Sequence, residues 1–306
     1  MKYEDIKILI TARNCGFFSF FLQVINTLYV VDDLNFKIDV DTSKGEPFAY
    51  NVNNKDIWNI FFEKLTNYNE HNIKQIYEIN NYYPQKQLNI LFNCSRKNKL
   101  FKNNIEIPFN GTHTIEHRQL MFHCIQKYIQ LKRPYLDEIN NFTLDNFTNK
   151  YVIGVHFRGT DARNSPRRSV PEYTIYLNYI EKELSIIDNI DYIIYVASDE
   201  QNFIDFLKQN FNTISINCLR TTNNDENNER MFDGWDCPKF CVDSPYEATK
   251  GVIYDYNLLS KCNSIIHCGG SVPLSAIFSN LNIKNIPIEK YGYRYKSHLN
   301  NSKDDL

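Results

Sequence analysis

Tyr151-Val152-Ile153-Gly154-Val155-His156-Phe157-Arg158-Gly159-Thr160-Asp161 passes within eleven residues from a continuous apolar run to a polar turn containing glycine. Such a run, with no alternation, predicts a strand buried on both faces, as in a parallel sheet covered by helices. The residues that follow keep the same rhythm. A helix is expected over Pro171 to Ser185, a strand over Tyr192 to Ala197, a helix over Glu200 to Gln209 and a strand over Thr213 to Ile216. Helix Tyr246 to Lys261, strand Ser264 to His267 and helix Val272 to Asn280 complete the series. Strands alternating with helices predict an α/β chain whose parallel sheet carries helices on both faces.

Toward the N-terminus the pattern repeats more faintly. Lys7 to Ala12 reads as a strand, Arg13 to Gly16 as a tight turn, Phe17 to Leu34 as an amphipathic helix and Phe36 to Val40 as a second strand. Trp58 to Leu65 looks helical, and Thr114 to Leu131 reads as a helix that stops before Pro134. An Asn-rich stretch that repeats Asn-Phe-Thr ends near Asn149, where we place the boundary between a first domain, 1–149, and a second, 150–306. A chain of 306 residues favours two domains of about 150 residues over one core.

A net charge of −2 with 23% charged residues leaves no basic excess for a nucleic acid partner. Met1 to Asp5 carries mixed charge and precedes too short an apolar run for a secretory signal. Phe17 to Val31, interrupted by Ser19, Gln23, Asn26 and Thr27, is short of the ~20 residues a membrane span needs. A soluble, cytoplasmic protein is the expectation, which does not preclude peripheral membrane association. Of its eight cysteines only Cys237 and Cys241 are close, and free buried thiols are expected rather than disulfides or zinc. His113 and His117, four apart, read as part of a polar helix face. Aromatic residues make up 14%, with 21 Tyr and 21 Phe, beside abundant Asn, Ile and Lys, which fits an A+T-rich coding bias better than a carbohydrate platform.

Ligands of open α/β sheets sit outside the carboxyl ends of the strands, so the residues there carry the functional reading. After the first quoted strand come Arg158, Arg163, Arg167 and Arg168, whose planar guanidinium groups suit phosphate oxygens. The alternative is an exposed basic loop. Cys268-Gly269-Gly270-Ser271-Val272-Pro273 joins a strand to a helix; its glycines allow close backbone approach, Ser271 is expected as the N-cap, and the helix N-terminus favours an anion. Alone it reads equally as a well-capped helix; beside the arginines it favours a phosphate site. Asp199, after the strand ending at Ala197, reads first as a cap of the next helix. Asp255 lies among Ile253, Tyr254, Tyr256 and Leu258, where a carboxylate is costly unless paired or bound, or else on an exposed turn. No Walker sequence, G-x-G-x-x-G, G-x-S-x-G elbow or H-E-x-x-H occurs, and Asp39-Val40-Asp41 ends a first-half strand rather than fronting a nucleotide.

His156-Phe157-Arg158-Gly159-Thr160-Asp161 resembles the H-x-R-[RG]-T-D peptide of the inverting fucosyltransferases that use GDP-fucose, the superfamily of α-1,6-, α-1,2- and protein O-fucosyltransferases. Val196 to Asp199 is similar to the second motif of that superfamily, and Asp255 to Cys262 with Ile265 to Ser271 to the third. Gly16-Phe17-Phe18-Ser19 stands where its bacterial members have a glycine turn before a helix. The resemblance implies GT-B architecture, two Rossmann-like domains facing a cleft, with no metal and with a GDP-sugar held mainly by the second domain. It implies His156 and Asp255 on the guanine, Arg158 on the β-phosphate, Gly270 and Ser271 on the pyrophosphate, and Gly16 and Phe17 closing over the phosphates. Asp199 counts among the donor-side residues through its motif. The α-1,6 enzymes carry a Lys directly after the motif Asp and a Glu four residues further on; here these are Ala162 and Pro166. The base that would accept the acceptor proton is therefore open among Asp161, Asp41 and Glu46. The implied partners are a nucleotide sugar and a glycan acceptor lying against the first domain. Tyr50, Trp58, Tyr82, Tyr83 and Phe109 are aromatic candidates there, each equally a core residue.

Overall fold

Seven consecutive buried residues, Ile6–Ala12, form β1, the middle strand of a three-stranded parallel sheet in the computed structural model of the chain. The structure describes residues 5–13, 15–32, 35–45, 55–66, 72–80, 115–159, 168–187, 190–216, 245–288 and 292–293. β2 (Lys37–Gly45) and β3 (Gln75–Ile79) flank β1 in the order β2-β1-β3. α1 (Phe17–Val31) crosses from β1 to β2 and is buried at every position except Ser19. It is thus not amphipathic as expected: α3 (Ile115–Tyr128) and α8 (Ser271–Ser279) cover the face that a two-layer unit would leave to water. Its end is three residues earlier than the apolar pattern suggests. Asp32 there places a carboxylate at the negative end of the helix, offset by Lys127 Nζ and Tyr128 Oη at 2.7 Å each.

α2 (Ile57–Phe61) is shorter than expected, with Asp56 accepting the Asn59 N–H as its cap. Pro134, read from the sequence as a stop, lies in the first turn of a new helix, α4 (Arg133–Phe147), where its missing N–H costs nothing. Asn149, at φ 59°, then turns the chain into β4. Asn tolerates that left-handed conformation better than most residues do.

The second sheet has five parallel strands, β4 (Tyr151–Phe157), β6 (Tyr192–Ser198), β7 (Thr213–Ile214), β8 (Ser264–His267) and β9 (Lys284–Pro287), in the order β7-β6-β4-β8-β9. β5 (Arg168–Ser169) pairs antiparallel with β10 (Gly292–Tyr293) outside it. Ile153, Val155 and Phe157 face α5 (Tyr173–Ile187) and α6 (Gln201–Asn210) through Tyr176, Ile180, Phe203 and Leu207. Val152, Gly154 and His156 face the opposite way, toward α7 (Pro245–Leu259) and α8. Gly154 has no room for a side chain: a Cβ would lie 2.9 Å from Leu259 Cδ2 and 3.0 Å from Cys262 Sγ, so α7 rides directly on β4.

The apolar core on this face does not stop at the second sheet. Tyr256 of α7 packs against Phe18 and Phe21 of α1 at 4.9 and 5.2 Å between ring centroids, and the cluster continues to β1 and α2. Arg118 of α3 donates from Nη2 to the carbonyls of Asn280, Leu281 and Ile283, which follow α8. His117 is correspondingly buried with its ring edge against Phe278, not on a polar face. Among the described residues the cysteines, Cys15, Cys124, Cys262 and Cys268, are free thiols. Cys237 and Cys241 lie outside the described residues.

Candidate functional site

The order β7-β6-β4-β8-β9 places the first strand of the second half in the middle, with its successors on one side and later strands on the other. The reversal falls between β4 and β8, and the crevice at their carboxyl ends is where such sheets bind ligands. His156 and His267 are register partners at that edge.

On the β4 side, His156 is buried and Arg158 half-buried at the strand end. The turn after it is clamped: Asp199 Oδ1 accepts the Gly159 N–H at 2.9 Å. Asp199 is therefore not the cap expected of it. Glu200 occupies the cap position of α6, and its N–H donates to Ser198 Oγ at 3.0 Å. A Cβ on Gly159 would lie 1.9 Å from Glu200 Oε1, so that carboxylate covers the glycine, and Tyr173 Oη holds its other oxygen at 2.5 Å. Tyr176 donates to the His156 carbonyl at 3.1 Å; burial pushes its hydroxyl well above the usual range, so it stays a donor.

On the β8 side, Gly269 at φ 93° and Gly270 at φ 111° make two successive left-handed residues. Gly270, not Ser271, is the N-cap of α8; the helix begins one residue early because the glycine pair completes the reversal before Ser271. Ser271 is the half-buried first residue of the helix. A Cβ on Gly270 would lie 3.9 Å from His156 Cε1, so the two strand ends meet here. The opening turn of α8, with the positive end of its dipole, thus lies beside His156.

Asp255 is buried, not on an exposed turn, and accepts a hydrogen bond from Tyr195 Oη at 2.6 Å. α7 runs against the strands, so Asp255, one turn before Leu259, lies about 6 Å nearer their carboxyl ends than the point where Leu259 covers Gly154. Two strand residues span about the same distance, which brings Asp255 level with His156.

In the first half, Gly16 is the N-cap of α1 at the carboxyl end of β1. The Phe17 ring is buried in the core, stacked on Trp58 and Phe62 at 6.2 Å each. Gln23 of α1 donates to the carbonyls of Thr11 and Ile79 at the ends of β1 and β3, and its Oε1 receives Arg13 Nε at 2.9 Å. Arg13 Nη2 also donates to Ser19 Oγ at 2.6 Å, fixing a guanidinium at this edge. Sequence reading passed over Arg13 although it directly follows a strand. It also passed over Tyr173 and Tyr176, which carry no local motif. Asp161, Arg163 and Arg167, with Glu46, lie outside the described residues, as do Tyr50, Tyr82, Tyr83 and Phe109. Asp41 accepts Ser43 Oγ at 2.5 Å and pairs with Lys44 at 3.6 Å.

Burial depresses His267 to about 4 and lowers His117 as well. Both therefore bind protons more weakly folded than unfolded. The contribution of His267 to stability is complete above pH 6.5 and is lost as the pH falls from there to about 4, and that of His117 is lost in the same direction. We expect the melting temperature to fall across that window. In His267→Asn the fall should be shallower by up to about 3 kcal/mol in unfolding free energy; parallel pH profiles for the two proteins would sink this assignment.

Among the described residues no helix is long and apolar enough to cross a membrane, and no three His, Cys, Asp or Glu side chains are grouped to hold a metal ion. No protein-family model and no curated protein matches the chain by sequence. Solved structures match it by fold. A NodZ alpha-1,6-fucosyltransferase soaked with GDP-fucose superposes with a TM-score of 0.52 over 89% of this chain and 92% of that one, at 14% identity. The same enzyme co-crystallised with GDP gives 0.53 over 88% and 91%, at 13% identity. Fucosyltransferase NodZ from Bradyrhizobium gives 0.53 over 92% and 96%, also at 13%. The chain thus has the GT-B fold of these fucosyltransferase structures, with a parallel α/β sheet in each half.

Proposed function

We propose that this protein is an inverting, metal-independent glycosyltransferase of the cytoplasm that transfers fucose from GDP-fucose to a glycan or protein acceptor. The observation that carries the reading is the meeting of His156 with Gly270 at the reversal of strand order, where a basic strand end faces a helix N-terminus. The fold's likeness to structures solved with GDP and GDP-fucose supports the same donor.

In this reading His156 and Asp255 hold the guanine, with Tyr195 orienting the Asp255 carboxylate. Gly270, Ser271 and the turn opening α8 hold the diphosphate, and Gly16 and Phe17, at the start of α1, close over it from the first half. Asp199 acts through the Gly159 N–H, holding the turn that presents Arg158. The bond from the sugar anomeric carbon to the β-phosphate oxygen breaks, its electron pair staying with the phosphate. The acceptor hydroxyl attacks the opposite face and gives up its proton to a carboxylate, for which Asp161, Asp41 and Glu46 are the candidates. Negative charge grows on the β-phosphate as the bond breaks, so fixed donors there lower the barrier.

A nucleotide-sugar binder without transferase activity is the second reading, favoured by Ala162 and Pro166 at the positions of the motif's Lys and Glu. Melting curves with GDP, UDP and their sugars, followed by release of GDP from labelled GDP-fucose in the presence and absence of EDTA, decide among these. Ligand at a hundred times its Kd stabilises the fold by about 2.7 kcal/mol, or about 5 °C here. A shift with GDP and not UDP, and EDTA-resistant transfer, are the expected results. A GDP shift without transfer or hydrolysis would leave the binder, and a shift with UDP alone would replace the donor.

A further inference from the structure

His267 closes β8 with its ring almost completely buried, 1% exposed, and both ring nitrogens engaged within the described structure. The Gly269 N–H donates to Nδ1 at 2.9 Å, so Nδ1 bears the lone pair. Nε2 therefore carries the proton, and it faces Asn285 Oδ1 on β9 at 2.7 Å. The backbone is held too: the Ile288 N–H donates to the His267 carbonyl at 2.8 Å. The imidazole is thus a neutral, oriented acceptor fixed to two adjacent strands.

What it accepts from is the first of the two left-handed glycines. Glycine loses more conformational freedom on ordering than any other residue, and two in a row make a turn that needs an external hold. The hold at Gly269 sets where Gly270 lies against His156 and how the first N–H groups of α8 are aimed. Affinity for an anion at a helix N-terminus depends on that aim being set before binding.

We propose that His267 is a positioning residue for the diphosphate end of the nucleotide, acting through the Gly269–Gly270 turn and not by touching the ligand. This rests on the donor reading above. Because His156 and Asp255 are carried by β4 and α7 and not by this turn, His267 governs phosphate affinity far more than nucleoside affinity. Asn285 has the supporting part of fixing the tautomer.

The test compares GDP binding by calorimetry with guanosine binding by ligand-observed NMR in the full chain. In His267→Leu, GDP should bind about tenfold more weakly, the loss of one hydrogen bond's contribution, with guanosine unchanged within about twofold. His267→Asn should return GDP binding to within about threefold of the parent, because an Asn side-chain carbonyl takes the N–H two residues on. Asn285→Leu should give the same phosphate-selective loss in milder form, and serves if His267→Leu does not fold. Equal losses for GDP and guanosine, an undiminished GDP affinity in folded His267→Leu, or no recovery in His267→Asn would overturn the assignment. A parent chain that binds no GDP would overturn the donor reading itself before any variant is compared, and this assignment with it.

Discussion

Arg158→Ala is expected to lower the rate of sugar transfer by about 10²- to 10³-fold, equivalent to about 3 to 4 kcal/mol of transition-state stabilisation, while the protein stays folded. The side chain is half-buried at the carboxyl end of β4, on a turn held by Asp199 through the Gly159 N–H. A guanidinium held there needs no reorganisation when charge appears on the departing β-phosphate, and that absence of reorganisation is what an alanine forfeits. Since the charge grows only as the bond breaks, the loss should fall on kcat more than on KM. Arg158→Lys should recover only part of the rate, because an ammonium cannot reproduce bidentate geometry. A folded Arg158→Ala protein turning over at near the parent rate would remove Arg158 from the mechanism.

Trp58→Ala should cost about 3 to 5 kcal/mol of stability and lower the melting temperature by about 5 to 8 °C. Trp58 is 1% exposed and stacked on Phe62 at 4.5 Å, with Phe17, Phe20 and Phe21 around it at 6.0 to 6.2 Å. It is the centre of the aromatic packing between α1 and α2, not a platform open to an acceptor sugar. Because Phe18 and Phe21 of the same α1 pack on Tyr256, the loss should be felt by both halves in a single transition. A variant that melts like the parent but no longer uses its acceptor would restore the platform reading.

β4, β6 and β8 were legible in the sequence because each is a short apolar run ended by polar residues, and the ends that carry His156, Asp199 and Gly270 are those ends, whereas β9, Lys284-Asn285-Ile286-Pro287, has no such run and was not expected. What misled was information that sequence spacing does not hold. α1 carries Gln23, Asn26 and Thr27 on a face that looked solvated, yet Gln23 spends its amide on strand-end carbonyls and α3 and α8 cover the rest. Pro134 stops one helix and starts another with equal propriety, and only packing against α7 shows which applies. Ser271 and Asp199 are both good caps by residue type. The positive φ of Gly270 in one case and the proximity of the Gly159 N–H in the other took that role elsewhere. Asp255 needed a partner, as its apolar neighbours implied, but Tyr195, sixty residues away on β6, could not be picked out without the register.

The core shared by α1, α7 and α8 bears on how such proteins can be recombined. A second half cut out at Asn149 would carry Tyr256 on a bare surface, with the α1 rings that pack on it, Phe18 and Phe21, left behind. A chimaera that exchanges nucleotide specificity would therefore have to move α1, and with it the strand and turn that anchor it, together with the second sheet. One apolar cluster runs across the place where the chain changes from one sheet to the next.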